Sequence, residues 1–144
     1  MLLFFRLGDR FQLWTAHLRI NQADESKLTA ECFEHTGWLN ADTDLLDALN
    51  IKTMRWSNFF MLYSDMVDAI SIWRARQLTQ DKETELTGDE ARRLRAAVEE
   101  LDVQIAKLRA ELKKETQFNR KMELSCKIKD LVGIMNGIKR LNYE

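Results

Sequence analysis

The 144-residue chain contains no proline, only five glycines and only two cysteines. Proline breaks helices and interrupts sheets, so its absence favours long uninterrupted elements. The scattered glycines form neither of the glycine-rich loops that cradle nucleotide phosphates. Cys32 and Cys126 are too few for a disulfide framework and predict reduced thiols in a cytosolic protein.

The sequence also lacks a long apolar run and an excess of charge of either sign. The opening run from Leu2 to Phe5 is too short for a signal peptide core, and no stretch reaches the roughly 20 apolar residues of a membrane span. A net charge of −1 argues against wholesale binding to nucleic acid or membranes. We therefore expect a soluble, cytoplasmic protein without membrane contact.

Residues 2–36 predict an antiparallel β-meander. An apolar run over residues 2–7 is followed by the turn signal Gly8-Asp9. Two alternating segments, residues 10–20 and 27–36, predict one covered and one wet face of the sheet. Because an apolar strand begins almost at Met1, with no preceding element to cover it, the pattern also predicts a chain truncated at its N-terminus.

Two helices are predicted to pack on this sheet. A short one spans residues 40–50, and a longer one spans residues 57–78, with Ser57 as its N-cap and an apolar stripe at three- and four-residue steps. Together with the strands they form a predicted α+β domain over residues 1–80. A polar linker is expected over residues 79–85.

The remaining domain, residues 81–144, predicts one long amphipathic, coiled-coil-like helix. Thr87 and Glu90 have the spacing of a capping box. Apolar residues then fill the a and d positions of a heptad repeat up to residue 112. After that the repeat slips by three residues, which indicates either an overwound continuous helix or a hairpin turn near residues 115–119. With no glycine or proline there, we favour the continuous helix.

A continuous helix of this length, roughly 80 Å, would leave much of its apolar side without an internal partner. We therefore predict association with a protein partner or a second copy through it. Asn119, at an a position, would then set the pairing register. The predicted interaction seam consists of Leu94, Val98, Leu101, Ile105, Leu108, Leu112, Phe118, Asn119 and Met122.

Motifs for chemistry are missing. We find no catalytic constellation, no cofactor site and no metal site, because His17, His35 and Cys32 lack a fourth ligand at zinc spacing. An enzyme therefore remains a third possibility, behind two binding functions. The basic stripe of the last helix could contact nucleic acid phosphates, which is the alternative function. Its candidate residues are Lys113, Lys114, Arg120, Lys121 and Lys127.

Three segments resemble a bacterial domain-of-unknown-function family, number 4391: HLRINQADESK, NIKTMRWSNFFMLYSDMVDAI and, most specifically, LRAELKKETQFNRKMELSCKIKDL. The resemblance implies a neighbourhood of restriction–modification and phage-defence genes, and members with a longer N-terminal part. It implies no activity and no residue roles. The leading hypothesis is thus an interaction or scaffold subunit of such a defence system.

Overall fold

The computed structural model describes residues 1–79 and 85–140. The predicted α+β class with an antiparallel sheet is confirmed. The chain divides into two compact units, Met1–Arg74 and Ala75–Glu144, and the predicted boundary at residues 80–81 lies outside the described residues. The elements are β1 (Leu2–Leu7), β2 (Arg10–Ile20), β3 (Leu28–His35), β4 (Leu39–Asn40), α1 (Leu45–Ala48), a short 3-10 helix (Ile51–Thr53), α2 (Phe59–Thr79), α3 (Gly88–Lys114) and α4 (Phe118–Arg140).

The first unit contains the sheet, in the order β1-β2-β3, with β4 paired to the start of β2. β1 and β2 pair in regular antiparallel register along all six residues of β1. The turn between them holds Gly8 at φ +59°, a left-handed conformation that glycine adopts without a Cβ clash. The predicted turn at Gly8-Asp9 is therefore confirmed.

One face of the sheet, which we call the inner face, is covered by the helices of the first unit. Its core consists of Phe11 and Leu13 from β2, Leu45 from α1 and Ile70 from α2. Glu34, only 4% exposed, accepts a hydrogen bond from the Arg74 guanidinium at 2.9 Å. Its charge is thus compensated where burial would otherwise be costly.

The two helices of this unit begin at different places from those predicted. α1 is a single turn, because residues 39–40 pair with β2 as a short strand instead of starting a helix. α2 begins at Phe59, and the Asn58 side chain accepts the Met61 N–H at 2.9 Å. Asn58, not Ser57, is therefore the N-cap, and both residue types suit that position.

The second unit contains a helical hairpin. α3 starts with the predicted capping box, since Thr87 accepts the Glu90 N–H and the Glu90 carboxylate accepts the Thr87 N–H at 2.9 Å. α3 ends at Lys114, and after three residues α4 begins and packs back along α3. The predicted continuous helix is therefore wrong, and residues 141–144 of the predicted domain lie outside the described residues.

The chain turns here without glycine or proline because Glu115 supplies the missing contacts. Its backbone is extended, and its carboxylate accepts the N–H groups of Thr116 and Gln117 at 2.8 and 2.9 Å. These bonds lower the pKa of Glu115 and satisfy donors at the start of α4. Folding back also lets the apolar stripes of the two helices cover each other, which a straight helix could not achieve within one chain.

Candidate interaction surface

The second face of the sheet, which we call the outer face, points away from the inner-face core. Side chains of directly paired residues share a face in an antiparallel sheet, and faces alternate along each strand. Phe11, Leu13 and Thr15 are buried on the inner face, so the even-numbered residues of β2 belong to the outer face. Apolar side chains populate it along its whole length: Leu3, Phe5, Trp14, Leu18, Ile20, Leu28 and Phe33.

Strict alternation along β3, counted from Leu28, would place Phe33 and His35 on the inner face. A bulge in the strand changes this assignment. The register with β2 shifts between the Thr15–Glu34 and His17–Glu31 pairs, so β3 has one extra residue there. The bulge therefore puts Phe33 and His35 on the same face as Leu28, and there both rings contact Trp14, at centroid distances of 5.2 and 4.8 Å.

Most of this apolar outer face is exposed. Ile20, Leu28 and Phe33 retain 61%, 63% and 54% of their accessible surface, although such side chains contribute most to stability when they are buried. At about 200 Å² per large side chain, the seven residues expose roughly 600 Å². A patch of that size is at the upper end of what monomeric soluble proteins show, which makes the outer face the candidate interaction surface.

The polar residues of the β2–β3 hairpin lie on the opposite side. Arg19 and Glu31 form an ion pair on the inner face, beyond the core. In the connecting loop, hydrogen bonds from Lys27 and Ser26 lower the pKa of Asp24 and fix the turn. The hairpin thus shows its charged side where α2 lies and its apolar side on the outer face. This is the reverse of the arrangement expected for a sheet covered on one side only.

A second group of exposed apolar residues lies where α2 begins. Phe59 and Phe60 are 86% and 66% exposed, and Trp56 is 62% exposed while its indole N–H donates to the Ile51 carbonyl. The Phe60 ring lies 5.9 Å from His17 at the covered side of the sheet. The sequence pattern assigned this part of the helix to the core, because periodicity does not show where a helix extends past the sheet.

The predicted seam residues separate into two groups in the structure. Val98 and Ile105 are buried in the hairpin, and Leu94, Leu101, Leu108 and Leu112 are half-buried on the same face of α3. Phe118, Asn119 and Met122 are exposed on the first turns of α4. Asn119 therefore does not occupy an a position of a continuous helix, and the register-setting role predicted for it loses its structural basis.

The partner stripe on α4 was only partly visible in the sequence. Leu124 is buried, and the residues that follow it at three- and four-residue steps are half-buried. The stripe begins at Leu124 and not at Phe118 of the predicted seam, which is 74% exposed. The half-buried members of the stripe are Ile128, Leu131, Val132, Met135 and Ile138.

The predicted basic residues are all exposed. Lys113 and Lys114 end α3, and Arg120 and Lys121 lie in the first turn of α4, so the hairpin turn places two pairs of cations at one end of the unit. Lys127 lies two turns further along α4. The arrangement is a compact basic tip instead of the extended stripe that the sequence suggested.

Residues 1–79 and 85–140 contain neither a membrane-spanning helix nor a group of metal-binding side chains. Within these, no helix has both the length and the apolar character needed to cross a bilayer. In the same residues, no three histidine, cysteine, aspartate or glutamate side chains are grouped so that they could hold a metal ion.

Comparison with known proteins gives one match. No curated protein and no solved structure matches the chain. A family model matches residues 1–132, which include the whole first unit, α3 and more than half of α4. The chain therefore belongs to the family described as Domain of unknown function (DUF4391).

Proposed function

We propose that this protein is an interaction subunit that binds a partner protein through the outer face of its sheet. The observation that carries the proposal is the exposure of large apolar side chains on that face of all three long strands, with Phe5 in β1, Leu18 and Ile20 in β2 and Leu28 and Phe33 in β3. Such a surface gains free energy whenever it leaves water. A partner with a complementary apolar face would complete a layer on this side of the sheet, as α2 does on the other.

The helical hairpin of α3 and α4 is not the main binding surface in this proposal. The seam residues on α3 pack against α4 of the same chain. Association with another chain was predicted because the helix was expected to be uncovered, and that reason no longer applies. The outer face has no comparable cover among the described residues.

Site-specific photocrosslinking tests this function. A photoreactive phenylalanine analogue replaces Phe33 on the outer face, and in a matched control it replaces Val103, a 69% exposed apolar residue on α3. In cells that express the protein naturally, Phe33 should give one discrete crosslinked product that Val103 does not give. A Phe33 probe that yields no product, or the same products as Val103, would contradict the proposal.

Resemblance to the family supports a more specific setting, an accessory subunit of a bacterial restriction–modification or phage-defence system in the cytoplasm. In that setting the product crosslinked through Phe33 should be a methyltransferase or helicase subunit encoded beside the protein. Mass spectrometry of the crosslinked product tests this prediction by identifying the partner. Identification of a housekeeping protein would contradict the proposed role in a defence system, but it would not contradict the proposal that the outer face binds a partner.

Nucleic acid binding is the second candidate function, and the basic tip of the hairpin favours it. Lys113, Lys114, Arg120 and Lys121 present four cations around one turn, with the Glu115 carboxylate among them and Glu123 3.9 Å from Arg120 in an ion pair. Cations in such a cluster displace counterions from phosphates, and binding then weakens steeply with salt. A gel-shift titration should show salt-dependent binding that Lys113→Glu with Lys121→Glu abolishes. Binding that persists in this double variant would exclude the basic tip as the nucleic-acid-binding site.

A further inference from the structure

β1 is an edge strand, and among the residues that the structure describes no other strand pairs with its open side. Ala16 and Met1 exchange two hydrogen bonds, with the Ala16 N–H donating to the Met1 carbonyl at 3.1 Å and the Met1 ammonium donating to the Ala16 carbonyl at 2.8 Å. Hydrogen-bonded and non-hydrogen-bonded pairs alternate in an antiparallel ladder, so odd-numbered residues of β1 face β2. The N–H and C=O groups of Leu2, Phe4 and Arg6 therefore point to the open edge.

This edge lacks the features that normally prevent one sheet from adding to another. Proline, bulges and several charged side chains are the usual protections. β1 has no proline, pairs with β2 without irregularity, and carries one charged residue, Arg6. The other edge, β3, has a bulge and two carboxylates, Glu31 and Glu34.

We propose that β1 pairs antiparallel with β1 of a second copy across a two-fold axis at Phe4, and so joins two four-stranded sheets. In this register Phe4 lies opposite Phe4 of the second copy, and Leu2 lies opposite Arg6 of the second copy. All three outward N–H groups and all three outward carbonyls of each copy then have partners. Other two-fold registers leave some of these groups unpaired.

Charge also favours this register. The two Arg6 side chains are four residues apart along the paired strands, about 13 Å, which keeps their charges separate. A two-fold axis at Arg6 would place the two guanidinium groups directly opposite each other, and like charges in that position destabilise a pair of strands. The axis at Phe4 instead brings two phenylalanine rings together.

The area available fits a reversible dimer. Phe4 and Leu7 are each 62% exposed, and Leu2, Leu3 and Phe5 are between 41% and 47% exposed. At about 200 Å² per large side chain, β1 alone exposes roughly 500 Å² of apolar surface per copy. A standard stable interface takes about 800 Å² per partner, so we expect a dissociation constant of roughly micromolar size.

Sedimentation velocity of the purified full chain, across about 1 to 100 µM, tests the pairing through the charge at the axis. Wild type should shift from monomer to dimer across this range. Phe4→Glu and Phe4→Lys should each weaken the dimer at least about tenfold, because each puts like charges opposite one another. An equimolar mixture of the two should form the dimer again, since opposite charges then meet at the axis.

Three controls keep the result specific. Phe33→Glu makes a similar change on the outer face, away from the edge, and should leave dimerisation unchanged. Leu2→Glu should keep the dimer and make it salt-sensitive, because the new carboxylate faces Arg6 of the second copy. Circular dichroism confirms that each variant is folded.

Several outcomes would overturn the proposal. They are a wild type that stays monomeric at 100 µM, a dimer that Phe4→Glu leaves intact, or a Glu and Lys mixture that remains monomeric although both variants are folded. The pairing is centred on the open edge of β1 and the proposed function on the outer face, and the two surfaces share only Leu3 and Phe5. Absence of a crosslink at Phe33 would therefore not contradict the dimer. A protein that stays monomeric in sedimentation velocity would not contradict the binding of a partner at the outer face.

Discussion

Truncation of Ile105 measures how strongly α3 depends on α4. Ile105 is 3% exposed in the middle of α3, on the face that α4 covers. Ile105→Ala removes buried carbon atoms and leaves a cavity, so we expect a loss of about 2–4 kcal/mol in the free energy of unfolding. Val103→Ala, at a 69% exposed position two residues away, should change it by less than about 0.5 kcal/mol.

Urea unfolding, followed by the helical circular dichroism signal at two protein concentrations, is the assay. Because α4 belongs to the same chain, the loss caused by Ile105→Ala should be the same at about 2 and 100 µM. A seam that paired with another chain would instead make the loss depend on concentration. Such a dependence, or a loss below about 1 kcal/mol, would refute the hairpin as the reason for the burial of Ile105.

Three other predictions follow from single contacts. Asn58→Ala should lower the stability of α2 by about 1 kcal/mol in thermal unfolding, whereas Ser57→Ala should leave it nearly unchanged, because only Asn58 caps the helix. Gly8→Ala should cost about 1 kcal/mol in the same assay, since φ is +59° at a position with open space around it. Hydrogen bonds from Arg55 lower the pKa of Asp65 below its ordinary value of 3.8, so its contribution is present above that pH and is lost as pH falls through the folded-state pKa. Asp65→Asn should therefore be less stable than wild type at neutral pH, and the difference should shrink as the pH falls below 3.8.

Local signals in the sequence predict the strands well. The alternation of residues 10–20 and the glycine at position 8 give β2 and its turn, and the Thr87–Glu90 spacing gives the start of α3. These features depend on neighbouring residues alone. The family resemblance, carried by three segments, also agrees with the match over residues 1–132.

The features that the sequence pattern misses depend on contacts between distant residues or on side-chain capping. The outer face is apolar but uncovered, and a pattern of alternation does not show which face a helix will cover. The bulge in β3 moves Phe33 to the face of Trp14, and nothing in the local pattern marks the extra residue. The turn after Lys114 uses the Glu115 carboxylate in place of glycine or proline, so only the slip in the heptad repeat indicated it.

The most direct test of the interaction function is the native mass of the protein in extracts of the cells that make it. Leu18 lies on the outer face and is 44% exposed, so Leu18→Lys should place a charge in the binding surface without disturbing the inner core. Wild type and the control Val103→Lys should elute from size-exclusion chromatography at a mass above that of the dimer, and Leu18→Lys should elute at the mass of free monomer or dimer. Identical elution of all three proteins would contradict the assignment of the outer face as the partner-binding surface.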